Sequence, residues 1–256
     1  MKNTNKWWSN HVEQMKLRMV TTSLTEFMKY CQSCGLFDHR VPYNQELVDF
    51  KIKKLKEDFG ELPDIKESEL SIHTENGYSN IFLWHLNFYL RITKVITPKS
   101  ILEIGGGYGG LARIFKTLHP EISYTIIDLP ESLYFSKKFL ELNSINDVLL
   151  IPAGEVPEKK EFDIVINTGS FQEMFKEVVK EYIDMIQNDL KVKYLYSCNY
   201  GIISGGRKET NFWGNLPIDN QWEEIYRNEN NPIVNIDVAR KRIFWEIYLK
   251  RKIWKK

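Results

Sequence analysis

The stretch ILEIGGGYGGLARIF, residues 101–115, places five glycines in six consecutive positions directly after an apolar run. The run predicts a buried strand, and the glycines predict a turn whose bare backbone comes close to a ligand. Glu103 lies inside this strand, where a carboxylate is costly unless it meets a cationic partner. Asp128 follows the next apolar run at the spacing of a ribose-binding carboxylate. The pattern therefore indicates a pocket for a positively charged, nucleoside-containing ligand.

A dinucleotide is the alternative reading of the same glycines. Gly105, Gly107 and Gly110 fit the G-x-G-x-x-G pattern, and Asp128 follows at a suitable distance. Glu103 favours the cationic ligand, because a dinucleotide-binding strand usually carries an apolar residue at that position. The length of chain before the turn, about 100 residues, points the same way. A nicotinamide dinucleotide remains the weaker alternative.

The elements that must position these residues alternate between strand and helix from residue 98 onward. The predicted strands contain SILEI, YTIID, VLLIP, DIVIN and KYLYS, and the predicted final antiparallel pair is WEEIYRNE with RIFWEIYLKR. This alternation predicts an α/β fold with a doubly wound, mostly parallel seven-stranded sheet. Residues 98–256 form the predicted ligand-binding domain, in which apolar periodicity predicts a single helix over residues 175–190. Residues 1–97 are predicted to be a helical region that covers the substrate pocket, with helices near residues 12–31, 44–60 and 79–96.

Composition excludes several classes of protein. There are 35 basic and 34 acidic side chains, giving a net charge of +1, which argues against general nucleic-acid binding. No apolar stretch approaches the roughly 20 residues of a membrane-spanning helix, and the N-terminal segment lacks the apolar core of a signal peptide. We expect a cytoplasmic protein without membrane insertion, in which Cys31 and Cys34 are reduced thiols. No metal site is predicted, because no acidic pair clusters at a strand end.

The stretches LEIGGGYGG and YTIIDLP, together with the layout of residues 98–250, resemble the class I S-adenosylmethionine-dependent methyltransferases. The resemblance implies S-adenosylmethionine as cofactor and a Rossmann-like fold. It also implies that Glu103 orients the methionine amino group and that Asp128 accepts both ribose hydroxyls. The implied cofactor-binding residues are Glu103, Gly105, Gly107, Tyr108, Asp128, Leu129, Ala153, Gly154 and Asn167.

A narrower resemblance is carried by EIGGGYGGLARIF, YTIIDLPES and INTGSFQEM. These stretches are similar to a family of bacterial proteins assigned as sugar O-methyltransferases, which are associated with capsule, lipopolysaccharide or O-antigen synthesis. The resemblance implies a sugar hydroxyl as methyl acceptor, carried on a nucleotide or on a growing glycan. Three alternatives stay open: a non-sugar acceptor such as a phenol or amine, an oxidoreductase, and a non-catalytic cofactor sensor.

A sugar hydroxyl is a poor nucleophile, so its methylation benefits from a general base at the carboxyl ends of the strands. This requirement excludes Asp163, which opens the fourth predicted strand, and His119, which ends the helix after the glycines. Glu173 is the first candidate, although a carboxylate there can also serve only to stabilise a helix N-terminus. His85 and His73, from the helical region, are the other candidates.

Substrate contacts are predicted around the ends of the fourth and fifth strands. Asn199 can hydrogen-bond a sugar hydroxyl, Tyr200 can stack on a sugar or base, and Arg207 can bind a diphosphate. The predicted substrate-binding residues are Ser170, Gln172, Asn199, Tyr200 and Arg207. The expected partners are a nucleotide-linked sugar and, through the N-terminal helices, a second copy of the chain.

Overall fold

The computed structural model describes residues 45–68, 78–202, 216–228 and 242–252, together with the single residues Glu13, Ser23 and Glu26. The strands are β1 (Ser100–Ile104), β2 (Ser123–Asp128), β3 (Leu149–Pro152), β4 (Glu161–Thr168), β5 (Lys191–Ile202), β6 (Trp222–Asn228) and β7 (Arg242–Arg251). The helices are α1 (Gln45–Phe59), α2 (Asn80–Val95), α3 (Gly110–Leu118), α4 (Pro130–Leu142) and α5 (Lys176–Asp184). A 3₁₀ turn, Phe171–Glu173, precedes α5, and a π-helical turn, Met185–Asp189, follows it.

The seven strands form one sheet in the order β3-β2-β1-β4-β5-β7-β6. Strands β1 to β5 are parallel, whereas β7 is antiparallel to both β5 and β6. The chain runs outward from β1 through β2 to β3, then returns to β4 on the other side of β1 and continues to β5. The carboxyl ends of β1 and β4 therefore flank the switch point where ligands bind in such sheets. The predicted doubly wound sheet and its final antiparallel pair are confirmed.

Helices cover both faces of the sheet because successive strand residues point to opposite sides. Ile101 and Ile164 pack in a core with the apolar side chains of α1 to α4. Leu102 and Val165 pack in a second core with α5 and the π-helical turn. The central strands β1 and β4 are therefore buried on both faces, as their nearly continuous apolar sequences predict.

Local sequence signals set the ends of the two helices that precede the sheet. Ser79 is the N-cap of α2, and its hydroxyl accepts a hydrogen bond from the Phe82 amide at 3.1 Å. Gly60 follows α1 with a φ of +82°, and its amide donates to the Lys56 carbonyl at 2.8 Å. The predicted helices at 44–60 and 79–96 are thus confirmed, while the helix predicted near residues 12–31 lies outside the described part of the chain.

Helix α2 is fixed to the rest of the domain by polar contacts in its second half. The Tyr89 hydroxyl lies 2.9 Å from Nε2 of His119, the residue that ends α3. Toward β7, Arg91 Nε lies 3.6 Å from Oε1 of the buried Glu246, which also accepts a 2.7 Å hydrogen bond from the Tyr196 hydroxyl. These contacts fix the helix that carries His85 relative to the sheet.

Candidate active site

The glycine turn between β1 and α3 is closed on two sides by protein atoms. Gly105 has a φ of +77°, and its amide donates to the Ile127 carbonyl at 2.7 Å. A Cβ on Gly105 would lie 1.9 Å from Ser170 Oγ, and one on Gly106 would lie 2.7 Å from Ile126 Cγ2. A side chain at either of the first two glycines would therefore collide with the turn after β4 or with the sheet. The sequence analysis explained these glycines only by the close approach of a ligand.

Glu103 lies under this turn, with only 2% of its surface exposed. Its Oε2 accepts a 2.8 Å hydrogen bond from the Tyr124 hydroxyl and would lie 3.1 Å from a Cβ on Gly106. Burial raises the pKa of Glu103 to about 7, against the lowering effect of the Tyr124 hydrogen bond. Among the described residues, no cationic side chain forms an ion pair with Glu103. The pairing of this carboxylate with a cationic group of a ligand stays a prediction.

Asp128 ends β2 beside the glycine turn. Its two oxygens accept 2.7 Å hydrogen bonds from the amides of Gly107 and Leu129. Burial raises the pKa of Asp128 to about 6, although these amides and the Ser132 hydroxyl favour the charged form. A carboxylate has about four lone-pair positions, so the three donors leave one for a ligand hydroxyl, and a second if the Ser132 hydroxyl turns away. Leu129, and not Asp128, is the N-cap of α4.

The turn after β4 is held by two amide side chains. Asn167 is fully buried; its Nδ2 donates to the Ile104 carbonyl at 2.8 Å, and its Oδ1 accepts from the Phe171 amide at 3.2 Å. Asn199 uses its whole side chain in a similar way. Its Nδ2 donates to Asn167 Oδ1 and Ser197 Oγ, both at 2.9 Å, and its Oδ1 accepts from two backbone amides of the turn.

These contacts change the interpretation of the two asparagines. All four hydrogen-bonding positions of the Asn199 amide are occupied by protein atoms, so none is left for a sugar hydroxyl. In this structure Asn199 holds the turn, and its contact with a substrate stays a prediction that these hydrogen bonds do not support. The polar atoms of Asn167 also bind protein groups, and its contact with a cofactor stays a prediction.

Two of the three candidate bases lie at the carboxyl edge of the sheet. Glu173 is partly exposed in the 3₁₀ turn after β4, and α5 begins three residues later at Lys176. Glu173 is thus outside the first turn of α5 but close before its N-cap Phe175, and the alternative role at a helix N-terminus stays open. His85, on α2, lies against the glycine turn: a Cβ on Gly110 would be 2.5 Å from its Nδ1, which is 3.5 Å from the Tyr108 hydroxyl. Glu173 belongs to the segment whose Ser170 contacts Gly105, and His85 lies beside Gly110.

The structure describes only some of the remaining predicted site residues. The Ala153 amide donates to the Asp128 carbonyl at 2.7 Å, and Gly154 follows with a φ of +100°, so the turn after β3 adjoins the turn after β2. Tyr108 is buried, with its ring 4.8 Å from that of Phe139 between centroids. His73 and Arg207 lie outside the described residues, and for Tyr200 only the backbone position in β5 is described.

The two side chains that were excluded as general bases, one carboxylate and one imidazole, lie at the amino edge of the sheet. Asp163, near the start of β4, accepts hydrogen bonds from the amides of Lys99 and Ser100 at 2.8 and 3.1 Å. His119 ends α3 at the same amino edge, where its ring stacks on Tyr89. Both exclusions are confirmed.

Tyr124 is a site residue that sequence reasoning missed. It lies on β2 opposite Ile101 and on the same face of the sheet as Glu103, two positions further along β1. A buried tyrosine hydroxyl needs a hydrogen-bond partner, and so does a buried carboxylate. The alternation within YTIID and within LEI assigns each residue to one of two faces, but only the register of β1 with β2 puts both polar residues on the same face.

The described ranges contain no group of three or more His, Cys, Asp or Glu side chains arranged to hold a metal ion. Within the same ranges, no helix has the length and apolar composition needed to cross a membrane.

No protein-family model and no curated protein matches the sequence. Solved structures do match. The methyltransferase domain of bacterial CtHen1-C aligns with a TM-score of 0.51 at 10% identity, covering 65% of this chain and 96% of that one. A candidate sarcosine dimethylglycine methyltransferase from Galdieria sulphuraria aligns with a TM-score of 0.51 at 12% identity, covering 80% and 98%. The chain has the methyltransferase fold. The O-MT segment of StiE, residues 961–1257, gives a TM-score of 0.50 at 8% identity over 66% of this chain and 75% of that chain. At these identities the likeness concerns the fold alone.

Proposed function

We propose that the protein is an S-adenosylmethionine-dependent methyltransferase. The observation that carries the proposal is the buried Glu103 under the glycine turn, without a cationic partner among the described side chains, beside Asp128 at the end of β2. The cofactor, when bound, supplies an electrophilic methyl group on a sulfonium. Glu103 binds its amino group, Asp128 accepts its ribose hydroxyls, and Ala153 and Gly154 lie beside its adenine.

The acceptor in this proposal is a sugar hydroxyl, carried on a nucleotide-activated hexose or heptose or on a glycan precursor. The support is the resemblance of EIGGGYGGLARIF, YTIIDLPES and INTGSFQEM to bacterial sugar O-methyltransferases. The product would serve surface polysaccharide synthesis in the cytoplasm, and the N-terminal helices would form a homodimer.

The chain's own part in the reaction is alignment and proton removal. The turns after β1 and β4 touch at Gly105 and Ser170, so a ligand over the glycine turn and an acceptor over the β4 turn are held side by side. Glu173 would take the proton of the acceptor hydroxyl while the hydroxyl oxygen bonds to the methyl carbon and the methyl–sulfur bond breaks, with S-adenosylhomocysteine as the leaving group. His85 is the second candidate for this step.

Glu173→Gln is expected to lower kcat by about 100-fold or more, which is the usual contribution of a positioned general base. Affinity for S-adenosylhomocysteine should stay unchanged, because the proposed cofactor contacts are elsewhere. Glu177→Gln is the matched control, because it makes the same change at an exposed position in α5. Near-normal kcat in Glu173→Gln, with a large loss in His85→Gln, would transfer the role to His85; near-normal kcat in both would contradict the assignment of a base.

The acceptor is tested by mass spectrometry. Purified protein and S-adenosylmethionine are incubated with a panel of nucleotide-activated hexoses and heptoses. A product heavier by one methyl group, with equal release of S-adenosylhomocysteine, is the expected result. Turnover of a phenol or amine and of none of the sugars would overturn the sugar assignment while leaving the methyltransferase assignment in place.

A further inference from the structure

The carboxyl ends of β1, β4 and β5 are joined by one side-chain network. Asn167 of β4 donates to the last carbonyl of β1, that of Ile104, at 2.8 Å. Asn199 of β5 donates to Asn167 Oδ1 at 2.9 Å and to Ser197 Oγ at 2.9 Å. Three strands that are neighbours in the sheet are therefore connected at the edge where the glycine turn begins.

The acceptor side of Asn199 fixes the turn after β4. Its Oδ1 accepts from the Ser170 amide at 3.1 Å and from the Gln172 amide at 3.4 Å. The carbonyl of Cys198, the preceding residue of β5, accepts from the Gly169 amide at 2.9 Å. The amides of the turn thus donate to groups of β5 as well as to their own strand.

Ser170 transmits this position to the glycine turn. Its Oγ and Cβ lie 1.9 and 2.3 Å from where a Cβ on Gly105 would be, so the two turns are in direct contact. Because packed atoms cannot overlap, a shift of Ser170 changes the space beside Gly105. The side chain of Asn199 therefore acts on the glycine turn through Ser170, without needing to touch a ligand.

We propose that Asn199 is a positioning residue of the cofactor site, which sets the shape of the glycine turn by holding Ser170 against Gly105. The inference rests on the proposed methyltransferase function, since it assigns the cofactor to that turn. Its partners are Asn167, Ser197 and the amides of Ser170 and Gln172.

Asn199→Asp tests this with the shape of the side chain nearly unchanged. An aspartate carboxyl ordinarily loses its proton near pH 4, and the Ser170 and Gln172 amides favour its charged form. The ionised side chain presents a bare oxygen to Asn167 Oδ1, and the network opens. Calorimetric affinity for S-adenosylhomocysteine should therefore be roughly tenfold weaker in the variant than in the wild type at both about pH 6 and about pH 8.5. The ratio of variant to wild type removes the effects of Glu103, Asp128 and Glu173, whose carboxyl groups on β1, β2 and the turn are present in both proteins.

Asn146→Asp, which adds the same charge at an exposed site, is the matched control and should give a ratio near one at both pH values. Asn199→Ser, shorter and uncharged, serves as a second variant and should weaken binding roughly tenfold at both pH values. A ratio near one throughout for Asn199→Asp, or unchanged affinity in a folded Asn199→Ser protein with only its melting temperature lowered, would overturn the inference. Absence of binding by the wild type would instead overturn the proposed function, and this inference with it.

Discussion

Gly105→Ala should weaken binding of S-adenosylhomocysteine by about 100-fold or more and should also destabilise the fold. The new Cβ would lie 1.9 Å from Ser170 Oγ and 2.3 Å from Ser170 Cβ, and the residue would keep a φ of +77°. Rotating Ser170 cannot relieve the contact with its Cβ, so the two turns must separate. Because the proposed cofactor pocket is built on these turns, their separation should remove the binding geometry.

Gly60→Ala is the control for backbone strain alone. Its φ of +82° is close to that of Gly105, but a Cβ there would meet no atom within 4 Å. Alanine in the left-handed region costs on the order of 1 kcal/mol, and we expect that loss of stability with unchanged ligand affinity. Ser170→Gly in the Gly105→Ala background should recover part of the affinity, because it removes the colliding atoms. Equal effects of Gly105→Ala and Gly60→Ala would contradict the contact between the turns.

Glu103→Gln is expected to stabilise the unliganded protein at about pH 8 while weakening its cofactor affinity. Burial raises the pKa of Glu103 to about 7 in the folded chain, from 4.5 as the ordinary value. The unfolded chain therefore loses its proton first, and the folded state loses stability as the pH rises from about 4.5 to about 7. The full loss is about 3 kcal/mol above that range. Glutamine carries no charge and avoids this cost.

Denaturant unfolding at about pH 5 and about pH 8 measures this effect. The stability difference between Glu103→Gln and wild type should move in favour of the variant by about 2–3 kcal/mol between the two pH values, because only the wild type carries the titrating carboxyl group. Any unpaired polar atom of the new amide costs the same at both pH values and does not alter this change. Glu158→Gln, at an exposed position, should show no such change. Calorimetry should show weaker binding of S-adenosylmethionine to Glu103→Gln, because the neutral side chain cannot pair with an ammonium. Equal affinity, together with a pH-independent stability difference, would contradict the role of Glu103.

Local sequence determines most of the fold and the centre of the site. Apolar runs separated by amphipathic segments give the parallel sheet, and Gly60 and Ser79 mark helix ends through their own backbone and hydroxyl chemistry. The glycine run and Asp128 are adjacent in the sheet because consecutive β-α-β units place their turns side by side. These features depend on residues that are close in sequence or on a regular topology, and so they could be predicted.

The details that could not be predicted depend on register and on side-chain direction. The bond between Tyr124 and Glu103 requires the pairing of β1 with β2, and the bond between Asn199 and Asn167 requires the pairing of β4 with β5. The residue type of Asn199 does not show whether its amide binds a substrate or another part of the protein. The single helix predicted over residues 175–190 ends as a π-helical turn from Met185, a change of hydrogen bonding that periodicity alone does not reveal.

A calorimetric titration of the wild-type protein with S-adenosylhomocysteine, beside a parallel titration with reduced nicotinamide dinucleotide, tests the central claim most directly. The account predicts saturable binding of S-adenosylhomocysteine at one site per chain and no binding of the dinucleotide. Binding of the dinucleotide without S-adenosylhomocysteine would contradict it, and would mean that Gly105, Gly107 and Gly110 form a dinucleotide turn.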